Sequence, residues 1–299
     1  MEITPQVLMN NLLQNVQSQY TQIGQNQEAI ATGERFQVPE DSPARVTATM
    51  NLNGALSKTH AYENAATQAQ NWLNTAAGVL QNMQQVWQNV LSIAVQGSSN
   101  TLTATDRQAL SQQVKEAQKS LGQLLNTRYQ GSYLFGGYDT SNPVITPQGT
   151  TNFPISSQTQ SFQIGSSATV TVNLTGEENV GQPTGQNYLA QLYTDLGNLA
   201  GQLTQGAAAT QSALGNLKTD ESYLSTAQSI VGGRLERISQ TQSQLKSLAL
   251  NLNQTIAQIS GTNIAKVTMQ LAQEEQAYQA ALQSGAQILP MSLLNFIHP

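Results

Sequence analysis

ISQTQSQLKSLALNLNQTIAQI, residues 238–259, carries Ile238, Leu245, Leu252 and Ile259 at steps of seven, with Leu248, Ala249 and Ile256 in neighbouring seam positions. A sevenfold apolar repeat with a second residue offset inside each heptad is the spacing that packs one α-helix along another. Gly261 ends this helix, and a further one follows, carrying Ile264, Val267, Leu271, Tyr278 and Leu282, then the apolar run Ile288, Leu289, Met291, Leu293, Leu294, Phe296 and Ile297, with Pro290 expected to interrupt it. Two long helices therefore occupy the carboxyl-terminal arm.

The same periodicity recurs upstream. Leu189, Leu192, Leu196, Leu199 and Leu203 mark a helix interrupted near Gly206, and the pattern resumes through Leu214, Leu217 and Leu224. In the amino-terminal arm, Met9, Val16, Ile23 and Ile30 stand at sevenfold spacing, with Leu13, Tyr20 and Gln27 expected to complete that seam. Gly33 closes the helix, since a left-handed residue commonly ends one. After a loop containing Pro39, either Asp41 or Ser42 caps a second helix, for which Pro43 suits the first turn because its missing donor would be unpaired there. Helical spacing then persists to about Gly97, with Ala66, Leu73, Leu80, Trp87 and Ala94 at steps of seven and Ala69, Ala76, Met83 and Val90 offset by three. Past a break at 97–100, Thr105 or Asp106 caps another helix bearing Leu110, Val114, Ala117, Leu121, Leu124 and Leu125, which fades near Arg128.

Between Gly131 and Gly185 the character changes to Gly, Pro, Ser and Thr, with short alternating runs at Phe162 to Ile164 and Ala168 to Leu174 that read as strands. The expected fold is mainly α: a long antiparallel helical bundle or coiled-coil rod made from both chain ends, with a small β-rich insertion. Each seam residue stabilises by roughly 1.5–3 kcal/mol when buried, and pairing the leading helices with the trailing ones is the shortest antiparallel solution.

Composition narrows the function. Across 299 residues only 10% are charged, and the net charge is -5. Soluble domains carry about 25% charged residues, so this surface is covered by Gln, Asn, Ser and Thr, with little repulsion between copies. Nucleic acid is disfavoured because no Lys or Arg cluster exists to displace phosphate counterions. No apolar run is long enough to span a bilayer, and Met1 to Asn10 lacks the basic-then-apolar pattern of a general secretory signal. Catalysis and cofactors find no support: His60 and His298 are far apart, cysteine is absent, and no phosphate loop or nucleophile elbow occurs. No metal site is expected, since Glu274 and Glu275 are neighbours on a helix and point about 100° apart, while Glu177 and Glu178 fall in the insertion. Trp72 and Trp87 read as seam fillers.

Several strings resemble the flagellin family of the bacterial flagellum, and its hook–filament junction members more than its filament subunits. Ala31-Thr32-Gly33-Glu34-Arg35-Phe36 and Pro39-Glu40-Asp41-Ser42-Pro43-Ala44 are similar to the family's turn and helix restart. Tyr133-Leu134-Phe135-Gly136-Gly137-Tyr138, after Thr127-Arg128-Tyr129, resembles the point where junction members leave their helical part. Val231-Gly232-Gly233-Arg234-Leu235 is similar to the family's Val-Gly-Ala-Arg-Leu. Glu2 and Ser42 depart from the family pattern. On the residues alone, Gly136 and Gly137 are turn formers and Asp41 is a helix cap.

The resemblance implies a secreted, extracellular structural subunit, exported by the flagellar type III apparatus without a cleaved signal. It implies a terminal coiled-coil domain, 1–42 with 262–299, lacking fixed structure in the free subunit; a helical domain, 43–137 with 186–261; and an outward β-rich insertion, 138–185. Assembly would run through Met9, Val16, Ile23 and Ile30 on one arm. On the other it would run through Ile264, Val267, Leu271, Tyr278, Leu282, Ile288, Leu293, Leu294 and Phe296. Implied partners are further copies in a flagellar lattice, hook-associated protein 1, flagellin, and an export chaperone at the carboxyl end. A short filament flagellin is the alternative within the family, and a non-flagellar helical scaffold or binding module the alternative outside it.

Overall fold

A computed structural model describes residues 5–35, 42–137, 140–152, 159–174, 176 and 188–297, with backbone only at 5, 6, 8 and 287–297. Within these residues the fold is mainly α with a small β part: α1 (Pro5–Thr32), α2 (Pro43–Gly97), α3 (Ala104–Leu125), α4 (Tyr188–Gln205), α5 (Ala207–Ser260) and α6 (Ile264–Ile297), and two antiparallel strand pairs. No described helix is long and apolar enough to cross a membrane. The chain divides into two compact units, residues 1–58 with 249–299, and residues 59–248.

The 59–248 unit holds the apolar core. All nine residues expected along the α2 seam between Ala66 and Ala94 are buried, Leu73, Leu80, Met83, Trp87, Val90 and Ala94 with no exposed surface. They meet α5, to which the Trp87 indole donates a hydrogen bond at the Leu217 carbonyl, 2.9 Å away, while Gln228 of α5 donates to the Leu80 carbonyl at 3.2 Å. Leu189, Leu192, Leu196, Leu199 and Leu203 of α4 are likewise fully buried. Ser111 and Gln118 of α3 reach across to the α4 carbonyls of Ala200 and Tyr193, at 2.6 and 2.9 Å. Trp87, Gln228, Ser111 and Gln118 thus find carbonyl partners, which offsets the hydration these side chains lose on burial.

Glycines separate the helices where a positive φ is needed. Gly33, at +75°, donates to Ala29 and ends α1, and Gly206, at +126°, stands between α4 and α5. The α3 cap lies earlier than expected. Thr103, not Thr105 or Asp106, is the N-cap: its hydroxyl accepts from the Asp106 amide while the Asp106 carboxylate accepts from the Thr103 amide. This reciprocal arrangement satisfies two first-turn donors, and it holds the Asp106 carboxyl below its usual pKa. α6 also departs from expectation, because its backbone continues through Pro290 without ending there.

The β part is small. β1 (Arg128–Tyr129) and β2 (Ser132–Tyr133) form a hairpin that sequence alternation did not reveal. Its two-residue turn has Gln130 at +49° and Gly131 at +86°, the paired positive angles that fit the twist of adjoining strands. The expected strands at 162–164 and 168–174 are present as β3 (Ser161–Gln163) and β4 (Thr169–Thr171).

Candidate assembly surface

In the unit made of residues 1–58 and 249–299, α1 and α6 run antiparallel. The pairing is fixed by three contacts in reverse order along the two helices. The Asn26 amide donates to the Glu274 carboxylate at 2.6 Å, the rings of Tyr20 and Tyr278 lie 6.3 Å apart, and a Leu12 methyl fills the place where a side chain at Gly285 would stand. At one end the joints are tied together. The Arg35 amide donates to the Ser260 carbonyl at 2.7 Å, and the Thr262 amide to the Gly33 carbonyl at 2.9 Å.

The inward face of α1 differs from the expected one. Met9, Val16, Ile23 and Ile30 are half-buried, but the residues completing the seam are Leu12, Gln19 and Asn26, one position before Leu13, Tyr20 and Gln27. Leu13 and Tyr20 stay 57% and 67% exposed. No α1 residue whose side chain is described is fully buried. On α6, Val267 is buried and Leu271 and Tyr278 half-buried against α1, whereas Ile264 and Leu282 face outward. The side chains of Ile288, Leu293, Leu294 and Phe296 lie outside the described residues, as does Asp41. α1 carries no Lys or Arg and a single acid, Glu28, so its outward stripe is apolar and nearly uncharged.

The remaining motif residues have structural positions. Gly33 is the left-handed end of α1, the Arg35 backbone joins the tie to α5, and Pro43 is the first residue of α2. Tyr133 and Phe135 are buried in the core of the other unit, with the Arg128 guanidinium 4.2 Å above the Tyr133 ring. Gly136 is buried beside them, and Gly137 turns the chain at +63°. Arg234 projects from α5 to donate to the Asn173 carbonyl at 2.8 Å, and Arg237 bonds the Thr169 carbonyl, so one helix turn grips β4 and its continuation. Outside these motifs, His60 pairs with Glu63 at 2.9 Å on the surface of α2.

One site escaped sequence reasoning. Asp220 of α5 is fully buried, and neither of its carboxylate oxygens has a hydrogen-bond partner among the described residues. Burial, reinforced by the charge of Asp195 on α4, pushes its pKa up to about 8. An acid in a Thr-Asp-Glu run reads as a solvated face, so nothing in the spacing flagged it.

The described fold is mainly helical, with a paired α1 and α6 that leave an apolar, weakly charged stripe outward, and comparison with known proteins supplies its kind. Residues 3–140 match the bacterial flagellin N-terminal helical region. A flagellin of Clostridium tyrobutyricum is 25% identical over 127 residues, a match spanning 42% of this chain but only 34% of that one. Flagellar hook-associated protein 3 of Escherichia coli (strain K12) is 22% identical over 93% of both chains. The fold is shared with the flagellar junction protein FlgL from Legionella pneumophila, with a TM-score of 0.54, 13% identity, and coverage of 72% of this chain and all of that one. These findings support a structural subunit of the bacterial flagellum, and more particularly one of the hook–filament junction, similar to hook-associated protein 3.

Proposed function

We propose that this chain is exported through the flagellar type III apparatus and assembles at the tip of the hook, where its α1 and α6 stripes pack against neighbouring copies. Hook-associated protein 1 is its partner on the hook side, flagellin on the filament side, and an export chaperone covers its carboxyl-terminal segment beforehand. The terminal domain, 1–42 with 262–299, gains its full burial in that lattice. The helical domain, 43–137 with 186–261, carries load, and the insertion, 138–185, faces outward. The filament-flagellin alternative is weaker, because the likeness to hook-associated protein 3 runs the length of both chains and the likeness to flagellin does not.

The observation that carries the reading is the exposed stripe. Leu13 and Tyr20 on α1, with Ile264, Met269 and Leu282 on α6, are between 47% and 67% exposed. Apolar surface of this kind marks association, and with a single charge on α1 little repulsion opposes the approach of a second copy. Deleting the gene should leave hooks without filaments while flagellin escapes into the medium. Complementation with a chain carrying Leu13→Glu and Tyr20→Glu should secrete the protein yet not restore attachment. Normal filaments in the deletion strain would refute the junction role.

A further inference from the structure

α1 offers two overlapping apolar stripes to α6, and the less apolar one is buried. Both share Met9, Val16, Ile23 and Ile30; the buried stripe adds Leu12, Gln19 and Asn26, and the exposed one adds Leu13, Tyr20 and Gln27. Turning the helix by about 50°, half of the 100° that separates adjacent residues, would exchange them. Hydrophobic burial alone favours that exchange, since it would shelter a Leu and a Tyr in place of a Leu and a Gln. Something on α6 must oppose it.

We propose that Asn26 selects the face of α1, by holding Glu274 in the seam, and so keeps Leu13 and Tyr20 outward. Glu274 is half-buried, and α1 has no cation to offer it. The one Lys of α6, Lys266, lies more than two turns away along the helix. A carboxylate drawn into a seam is costly without a strong donor, and the Asn26 amide at 2.6 Å supplies one. A second feature acts in the same sense. A Cβ at position 285 would lie 2.6 Å from the Leu12 Cδ2, so Gly285 is a notch that this methyl fills. A polar residue in a coiled-coil seam sets register and facing at some expense of stability, which is the role assigned to Asn26 here. Removing its amide tips the balance, because Gln27 stands on the other stripe and can serve Glu274 once the helix turns.

The inference about what the outward stripe is for rests on the assembly reading, but the facing of α1 is measurable on its own. The chain lacks cysteine, so single cysteines report cleanly. In the full-length chain, Leu13→Cys should react quickly with a maleimide and Gln19→Cys more than about tenfold more slowly, equivalent to a preference of about 1.4 kcal/mol for the observed face. Adding Asn26→Ala should reverse that order, Asn26→Gln should preserve it, and Gly285→Ala should weaken it. A merely stabilising contact would speed both cysteines on removal, without reversal. Equal rates in the parent chain, or an unchanged order with Asn26→Ala, would overturn the proposal. Normal filaments in a deletion strain would instead sink the junction role while leaving the labelling order intact.

Discussion

Asp220→Asn should make the 59–248 unit more stable as the pH rises, relative to the parent chain. The Asp220 carboxyl is fully buried, and its pKa stands near 8 in the folded protein against 3.8 for a solvated aspartate, mainly through burial and secondarily through Asp195. The folded state therefore keeps a proton that the unfolded chain releases from about pH 4 upward. Stability from this group is complete below about pH 4, declines by about 1.4 kcal/mol per pH unit, and is lost by about pH 8, a total on the order of 5 kcal/mol. The asparagine does not titrate. Its buried amide hydrogens add a destabilisation of about 1–3 kcal/mol that is the same at every pH, so the slope and not the offset carries the answer. Trp72 and Trp87 are both buried in this unit, and their fluorescence reports its unfolding in urea. The stability difference between the two proteins should grow steadily from about pH 5 to about pH 8 and then level off. Parallel stabilities across that range would show that Asp220 is ionised in the fold, and the reasoning would fail.

Gly97→Ala should destabilise the same unit by about 1–3 kcal/mol, because the new methyl would fall 2.2 Å from the Leu203 Cδ2 and Leu203 is fully buried. Urea unfolding of Gly97→Ala combined with Leu203→Ala should then show less than the sum of the single effects. Thr103→Ala should loosen the start of α3 and return the Asp106 carboxyl toward its ordinary pKa, readable by NMR titration, since the Thr103 hydroxyl and amide are what lower it. Arg234→Ala removes a donor from the buried Asn173 carbonyl, with an expected effect of about 1–3 kcal/mol. Faster hydrogen exchange or proteolysis in β3 and β4, ahead of any change in the helices, would confirm that the grip is local.

Much of the fold was legible because burial is nearly complete along the seams of the 59–248 unit. Where a stripe is sheltered on both flanks, as from Ala66 to Ala94 or Leu189 to Leu203, the sevenfold spacing identifies it residue by residue. The glycines at 33, 206 and 261 were equally readable, because an abrupt stop needs a residue without a side chain. Gly261 is bound to its role by geometry: a Cβ there would lie 2.2 Å from the Ala257 carbonyl oxygen. The errors fall where the energy differences are small or not periodic. Periodicity chose Leu13 and Tyr20 for α1 because they are the more apolar alternative, and it cannot register a single amide meeting a carboxylate 248 residues away. The Thr103 cap was missed because aspartate, one methylene shorter than the usual glutamate, closes the box. The β1–β2 hairpin has two residues per strand, too few to alternate.

The contrast between the two units bears directly on the assembly reading. The 59–248 unit has a core of large side chains with almost no exposed surface, Trp87, Tyr188, Tyr223 and Phe135 among them. In the other unit the α1 seam is never fully buried in any described side chain, and it gives two of its inner positions to Gln19 and Asn26. Two helices of this kind bury one side of each and leave the rest to solvent, and an isolated helix pair with a partly polar seam gains little over the conformational entropy it must overcome. A further apolar surface laid over the outward stripe would add to that balance. Burying the amides Gln19 and Asn26 while Leu13 and Tyr20 stay exposed is the arrangement expected of a helix that also packs against a second copy, as the proposed assembly requires.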